Sequence, residues 1–153
     1  MAHQDTIKVG ITQGDINGIG YEVIIKTLME PHMLEICTPV IYGSPKVAAY
    51  HRKALNIEGV SFNHVRHVGE AHPKRINIIN CIDDNIRVEL GKSTREAGEA
   101  SYHALDAACA DLEKGLIDVL VTAPINKDNI QSEQFHFPGH TEFLAQRFKS
   151  DNY

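Results

Sequence analysis

A long helix that leads directly into a short apolar strand is the feature that most constrains what this chain can fold into. Residues 93–96 (STRE) have the pattern of a capping box, which predicts a helix from there to Lys114, and Gly115 is a typical helix stop. Residues 118–122 (DVLVT) then predict a buried strand, because this short β-branched run ends at an Ala-Pro pair. A helix that returns the chain to a strand in this way indicates a mainly parallel sheet.

The rest of the chain repeats this alternation of strands and helices. Alternating or β-branched apolar runs predict four more strands, at residues 7–12, 38–42, 60–68 and 75–81. Two more helices are predicted, one at residues 21–29 and one that Ser44 caps and that ends at residue 54 or 55. At 153 residues with 42% hydrophobic content, the chain is long enough for a real core. We therefore predict an α/β fold with a mainly parallel sheet flanked by helices.

The connection between the first strand and the first helix contains three glycines. Residues 13–20 (QGDINGIG) allow a tight turn and a close approach of the backbone, and strand, glycine loop and helix together are the layout of a phosphate cradle. The spacing G-x-x-x-G-x-G, however, is neither the dinucleotide-binding fingerprint nor a P-loop. On spacing alone, a tight connection without a ligand is therefore the preferred interpretation.

Composition and charge argue against several functional classes. The formal net charge is −5 and no run of Lys or Arg forms a basic stripe, which argues against nucleic acid as a main partner. The chain has three cysteines, an odd number without a CxxC spacing, so we expect reduced thiols at Cys37, Cys81 and Cys109. The sequence has neither a signal-peptide core nor a membrane-length apolar run, which predicts a soluble cytoplasmic protein. His64 and His67 are three apart in a predicted strand and point to opposite faces, which makes them poor joint metal ligands.

The stretch from residue 118 to residue 143 carries the candidate functional residues. It leaves the carboxyl end of a predicted strand, where open α/β sheets bind ligands, and it gathers six polar side chains: Asn126, Lys127, His136, His140, Thr141 and Glu142. Residues 139–148 predict a helix, which puts His140 and Thr141 in its first turn, where free N–H groups and the helix dipole favour an anion. Glu142 is interpreted as a first-turn stabiliser of the same helix. The alternative is a polar surface loop without a ligand.

Four motifs, in this order along the chain, resemble one protein family. They are T-Q-G-D-I-N-G-I-G-Y-E at residues 12–22, E-A-G at 96–98, V-T-A-P-I-N-K at 121–127 and P-G-H-T-E-F-L-A at 138–145. The family is 4-hydroxythreonine-4-phosphate dehydrogenase, from pyridoxal phosphate (vitamin B6) biosynthesis. The chain departs from the usual opening motif at Ile16, Asn17 and Tyr21, where Pro, Ala and Pro are typical. The glycines and the acidic residue of that motif are retained, which implies that the loop keeps its path.

The resemblance implies an NAD-dependent and divalent-metal-dependent oxidation of a phosphorylated 4-hydroxythreonine, followed by loss of carbon dioxide, in a cytoplasmic homodimer. It also implies a fold like that of isocitrate and isopropylmalate dehydrogenases. His140 and Thr141 correspond to the family's substrate-binding His and Thr. Further candidates for the substrate cleft are Asn126, Lys127, Asp15 and Gly18.

By the same resemblance, the chain is the N-terminal portion of a two-domain dehydrogenase, with the second domain beginning near residues 123–153. The family's three metal-binding histidines, which hold zinc, magnesium or cobalt, lie beyond the G-H-T-E motif. We therefore expect no metal ligand in this chain and no activity from it alone. Two alternatives stay open. One is a paralogue that oxidises another 4-phosphorylated hydroxy acid, such as a threonate or erythronate phosphate, and the other is a non-catalytic phosphate-binding or dimerising module.

Overall fold

One five-stranded parallel sheet forms the centre of the molecule. The computed structural model describes residues 6–153, and its strands follow the order β3-β4-β2-β1-β5. The strands are β1 (Ile7–Thr12), β2 (Cys37–Gly43), β3 (Phe62–Val65), β4 (Ile76–Asn80) and β5 (Val119–Thr122). The helices are α1 (Gly20–Leu28), α2 (Met33–Ile36), α3 (Pro45–Ala54), α4 (Arg95–Glu113) and α5 (His140–Arg147), with a 3-10 turn at Val68–Glu70. The predicted α/β class with a parallel sheet is confirmed.

Helices cover both faces of the sheet. Successive strand residues point to opposite sides, and apolar side chains on both sides need to be buried. On one face Ile41 and Ile78 pack in a buried cluster with residues of α1 and α3, among them Ile25. On the other face Tyr42 packs with the small residues Ala104 and Ala108 of α4. All residues of the central strand β2 are buried, as expected for a parallel strand covered on both sides.

Helix α4 begins one residue later than the capping-box pattern predicts. The cap is Thr94, not Ser93, because the Thr94 hydroxyl accepts the N–H of Ala97 at 3.2 Å. Asn17, far away in the sequence, also donates from Nδ2 to the Thr94 hydroxyl at 3.3 Å, which fixes this residue as the cap. The helix stop is confirmed, since Gly115 has a φ of 71° directly after the cap residue Lys114.

The strand predicted as buried at residues 118–122 is instead the exposed edge strand β5. It pairs with β1, and the side chains of Val119 and Val121 are 44% and 50% exposed. Leu120 points to the opposite face and packs against the α4 side of the sheet. The apolar run was therefore a correct signal for a strand but a wrong one for its burial. Within residues 6–153, no helix is long and apolar enough to cross a membrane.

Tyr21 holds the ends of the first two strands together by a buried hydroxyl. Its O–H donates to Oε1 of Gln13 at 2.6 Å and accepts the N–H of Ser44 at 3.2 Å. Burial raises the pKa of Tyr21 above its ordinary value, so the phenol stays neutral. Gly43 leaves room for this contact, since a Cβ there would lie 2.2 Å from the hydroxyl oxygen.

Replacing Tyr21 by Phe is expected to lower the free energy of unfolding by about 1–3 kcal/mol, because a buried N–H and a buried carboxamide oxygen lose their partner. Thermal or urea unfolding of the purified chain measures the change. Tyr50→Phe is the matched control, since the Tyr50 side chain is 44% exposed. Equal effects of the two changes would contradict a structural role for the buried hydroxyl.

Candidate functional site

The loop between β5 and α5 is held in fixed turns by its own side chains. The Oδ1 of Asn126 accepts the N–H groups of Asp128 and Asn129, each at 3.0 Å. The Nε2 of Gln131 donates to the carbonyl oxygens of Lys127 at 2.8 Å and Phe137 at 2.7 Å. These bonds tie the start of the loop to its end, so Lys127 has a defined position relative to the helix that follows.

Helix α5 is anchored on α4 by aromatic packing and by an arginine. The ring of Phe143 stacks on that of Phe135 with centroids 5.0 Å apart and meets the edge of Tyr102 on α4. Near the other end of the helix, Arg147 donates from Nη1 to Asp106 at 2.8 Å and from Nε to Glu113. The direction of α5, and with it the position of its N-terminus, is therefore set by α4.

The first turn of α5 presents His140 and Thr141, as the sequence predicts. Gly139 is the cap residue and has no side chain to bond the amide groups of the turn, which leaves them for another acceptor. Thr141 is exposed, whereas His140 is half-buried and its Nε2 is buried without a protein partner. Burial, and then the positive charge of Lys127, lower the pKa of His140 below its ordinary value. The imidazole is therefore neutral at pH 7.

Lys127 and Glu142 both lie beside the same turn. A Cβ at Gly139 would be 3.8 Å from Cε of Lys127 and 3.7 Å from Oε2 of Glu142. The position of Glu142 over the helix start agrees with its interpretation as a first-turn stabiliser. His136, in contrast, is exposed on the loop before the turn. The structure thus brings His140, Thr141 and Lys127 together in one place.

The other candidates make contacts of their own. The Asn126 side-chain oxygen is engaged by the two loop amides described above. Asp15 is joined to the loop after β5 through its backbone N–H, which donates to the carbonyl of Pro124 at 2.8 Å. Gly14 makes this approach possible, since it has a φ of 68° and a Cβ there would lie 2.2 Å from the same carbonyl oxygen.

Some of the glycine loop's backbone N–H groups are bonded within the protein. Asn17 N–H donates to Oδ1 of Asp15 at 3.0 Å, and Gly18 N–H donates to the carbonyl of Asp15 at 3.1 Å. Amides that are bonded in this way are not free to cradle a phosphate. The interpretation as a tight connection is therefore supported, and the roles of Asp15 and Gly18 in a ligand site stay predictions.

Two residues that shape the site were not among the candidate site residues predicted from the sequence. Gly98 on α4 lies against the loop, since a Cβ there would be 1.8 Å from the carbonyl oxygen of Asn129. Asn17 links the glycine loop to the segment before α4 through Glu89 N–H and Lys92 O. In the sequence, Gly98 is marked only by the E-A-G motif, and Asn17 only by its departure from the usual Ala. Neither indicates which partner is contacted.

Metal ligation was expected to be absent from this chain. Among residues 6–153, no three His, Cys, Asp or Glu side chains are grouped in a way that could hold an ion. His64 and His67 are exposed, as expected for surface residues. The described residues therefore do not fit a divalent-metal site, and the expectation stays a prediction.

Comparisons with known proteins identify relatives of this fold and site. The family model for the pyridoxal phosphate biosynthetic protein PdxA matches residues 35–153. A 4-hydroxythreonine-4-phosphate dehydrogenase from Bacteroides thetaiotaomicron is 56% identical over 149 residues, which are 97% of this chain and 41% of the relative. A protein from Oceanobacillus iheyensis, provisionally named as a D-threonate 4-phosphate dehydrogenase, is 32% identical over 95% of this chain and 44% of its own length.

Solved structures of relatives share the fold. A crystal structure of a 4-hydroxythreonine-4-phosphate dehydrogenase from Burkholderia phymatum superimposes with a TM-score of 0.85 at 29% identity, over 96% of this chain and 45% of that one. The enzyme of the same name from Klebsiella pneumoniae gives a TM-score of 0.84 at 28% identity, over 100% of this chain and 46% of that one. The chain thus spans less than half the length of the relatives that it matches.

Proposed function

The chain belongs to the PdxA family, and from this premise we propose that a protein containing it is an NAD-dependent dehydrogenase. Its substrate is the phosphorylated hydroxy amino acid 4-phosphooxy-threonine, whose secondary alcohol is oxidised with subsequent loss of carbon dioxide. The reaction belongs to vitamin B6 synthesis in the cytoplasm. By the family resemblance, the active protein is a homodimer.

The observation that carries this proposal is the unpartnered group at the start of α5. The Nε2 of His140 is buried without a partner, and a buried polar atom of this kind costs free energy unless a ligand satisfies it. The exposed hydroxyl of Thr141 and the uncapped amides of the same turn provide further donors. A phosphorylated hydroxy compound offers acceptors for all of these groups.

We assign neither the NAD cofactor nor the divalent metal of the reaction to residues of this chain. When bound, NAD accepts the hydride, and a divalent metal polarises the carbonyl that forms. The described residues do not fit a metal site, and the amides of Asp15, Asn17 and Gly18 in the glycine loop are bonded within the protein. The role that we propose for this chain is therefore to bind and orient the phosphorylated alcohol. Turnover of substrate by the purified chain alone would contradict this division of labour.

A second substrate of the same chemical class is a 4-phosphorylated hydroxy acid without the amino group. The name of the Oceanobacillus iheyensis relative, which refers to D-threonate 4-phosphate, favours this candidate. Comparing the rates of NAD reduction with the two substrates, in a preparation of the longer protein, separates the candidates. A higher kcat/KM for the threonate ester would replace the first proposal by the second.

Replacing His140 by Ala or Thr141 by Val is expected to weaken the binding of 4-phosphooxy-threonine by about 10-fold to 100-fold. This range corresponds to the loss of one hydrogen bond to a charged ligand, about 1.5–3 kcal/mol. Isothermal titration of the chain with this ester and with inorganic phosphate measures the change. His136→Ala is the control, because the His136 side chain is exposed on the same loop. Equal, weak binding of the ester and of inorganic phosphate would instead favour a non-catalytic phosphate-binding module.

A further inference from the structure

An open cavity of about 680 Å³ lies between α3 and the edge strand β3, and we call it the α3–β3 cavity. In the strand order, β3 is at the opposite edge of the sheet from β5, which leads into the candidate site described above. Helix α3 packs against α1 and β4, and the cavity occupies the space between this helix and the edge of the sheet. Its volume is within the range of small-molecule sites, roughly 300–1,000 Å³.

The floor of the α3–β3 cavity is apolar. Ile78 on β4 is fully buried and Phe62 on β3 is half-buried. Both pack in the cluster that α1 and α3 form with this face of the sheet. Val60 and Ala49 line the cavity as well. Covering these side chains removes apolar surface from water, so the floor favours a ligand that carries an apolar ring or chain.

Two cations of α3 line the cavity without a carboxylate partner. Among residues 6–153, neither Lys46 nor Arg52 forms an ion pair within 4.0 Å. The Nη1 of Arg52 donates to the carbonyl of Ile57 at 3.1 Å, which fixes the position of the guanidinium. A third cation, Arg66, is paired with Glu70 at 3.7 Å. The positive charge that is available to a ligand therefore comes from α3.

The acidic side chains around the α3–β3 cavity do not balance this charge. Asp84 is the only carboxylate among the described residues that line it, and its Oδ1 accepts the hydroxyl of Ser44 at 3.3 Å. A second cavity of about 680 Å³, between α4 and the segment before it, is lined by four carboxylates: Asp83, Glu89, Glu96 and Glu99. The excess of positive charge is thus a local property of the α3–β3 cavity, in a chain whose net charge is −5.

Charged side chains on an edge strand have another explanation, since they discourage pairing with other chains. This explanation accounts for Arg66, which directly follows β3. It does not account for Lys46 and Arg52, because these residues lie on helix α3. A ligand that is both anionic and partly apolar is complementary to the helix cations and to the floor of the cavity.

We propose that the α3–β3 cavity binds a small anion that carries an aromatic ring or a branched apolar chain. Lys46 and Arg52 meet its negative charge, and its apolar part covers Phe62 and Ile78. Aromatic carboxylates and aromatic phosphate esters belong to this class, because they share a charged oxygen group on an apolar body. The site is separate from the start of α5, so this inference does not depend on the proposed function.

The first test compares three probes that divide the proposed ligand into its parts. 2-Naphthoate has an anionic group and an apolar ring system, whereas acetate has only the anionic group and 2-naphthol is uncharged at pH 7. In an NMR titration of the ¹⁵N-labelled chain, 2-naphthoate is expected to bind more tightly than either by about 10-fold or more. The amide signals that shift should belong to residues 46–52 and 60–66.

The second test changes the charge of the cavity with little change in its size. Lys46→Gln and Asn80→Asp each make it more negative and are expected to weaken the binding of 2-naphthoate about 5-fold. Asp84→Asn removes the lining carboxylate and is expected to strengthen this binding about 3-fold. Lys114→Gln is the matched control, because this exposed lysine ends α4 on the other face of the sheet. The weak affinity for uncharged 2-naphthol should stay the same in all four variants, which separates an effect of charge from a change in the fold.

Three results would overturn the proposal. The first is the absence of 2-naphthoate binding, or equal affinity for 2-naphthoate and 2-naphthol, which would indicate an apolar surface without anion recognition. The second is a set of amide shifts confined to residues 139–142, which would place the anion at the start of α5. The third is an affinity that does not respond to Lys46→Gln and Asp84→Asn. Opposite responses to these two changes, with Lys114→Gln unchanged, would support the α3–β3 cavity as the binding site.

Discussion

Replacing Gly98 by Ala is expected to destabilise the chain by about 3 kcal/mol, although the same change in an exposed helix interior stabilises by about 1 kcal/mol. The new Cβ would lie 1.8 Å from the carbonyl oxygen of Asn129 and 2.4 Å from its carbonyl carbon. Both are backbone atoms, so the clash cannot be relieved by rotating a side chain. The loop is also held by hydrogen bonds from Asn126 and Gln131, so it must move as a whole to make room for the methyl group. The sign of the effect therefore distinguishes a steric contact from helix propensity.

Thermal unfolding measures this change, and about 3 kcal/mol corresponds to a fall of about 6–12 °C in Tm for a chain of this size. Glu99→Ala is the control on the same helix, because Glu99 is exposed and forms a surface ion pair with Arg95. A rise in Tm for Gly98→Ala would show that the loop does not pack on α4 as described.

Local patterns were sufficient to predict most strands and helices of this fold. The Ser44 cap is an example, since its hydroxyl accepts the N–H of Val47 only three residues away. The start of α4 shows the limit of such patterns. Ser93 and Thr94 are equally good caps by residue type, and the choice depends on a bond from Asn17, far away in the sequence. The prediction that β5 is a buried strand was wrong for the same reason. Whether a strand lies at the centre or at the edge of a sheet depends on the strand order, which one segment of sequence does not encode.

For the candidate site, too, some features follow from local sequence patterns and others depend on the tertiary fold. His140 and Thr141 were placed in the first turn of a helix from spacing alone, and the structure confirms that position. The approach of Lys127 to this turn depends on how the intervening loop folds back, which Gln131 controls by bonds to both of its ends. The neutral state of His140 likewise follows from packing rather than from the motif. Sequence motifs therefore located the site, while its charge distribution required the fold.

Asn17→Ala is expected to lower the free energy of unfolding by about 3 kcal/mol, because it removes a buried side chain that makes three part-buried hydrogen bonds at once. The Asn17 side chain is 3% exposed. Its Oδ1 accepts the N–H of Glu89 at 2.7 Å, and its Nδ2 donates to the carbonyl of Lys92 at 3.0 Å and to the hydroxyl of Thr94. By the family resemblance, Ala is typical at this position. The change therefore tests whether the hydrogen bonds of Asn17 stabilise this chain or whether a small residue is sufficient.

Urea unfolding and amide hydrogen exchange test this expectation together. The amides of Glu89 and Ala97 should exchange faster in Asn17→Ala, because the first loses its acceptor and the second depends on the cap that Asn17 holds. Asn85→Ala is the control, since the Asn85 side chain is exposed. Combining Asn17→Ala with Thr94→Ala should cost less than the sum of the single changes, because the two side chains share a hydrogen bond. Strict additivity would mean that Asn17 does not stabilise the cap of α4, and that the glycine loop and this helix are held together by other contacts.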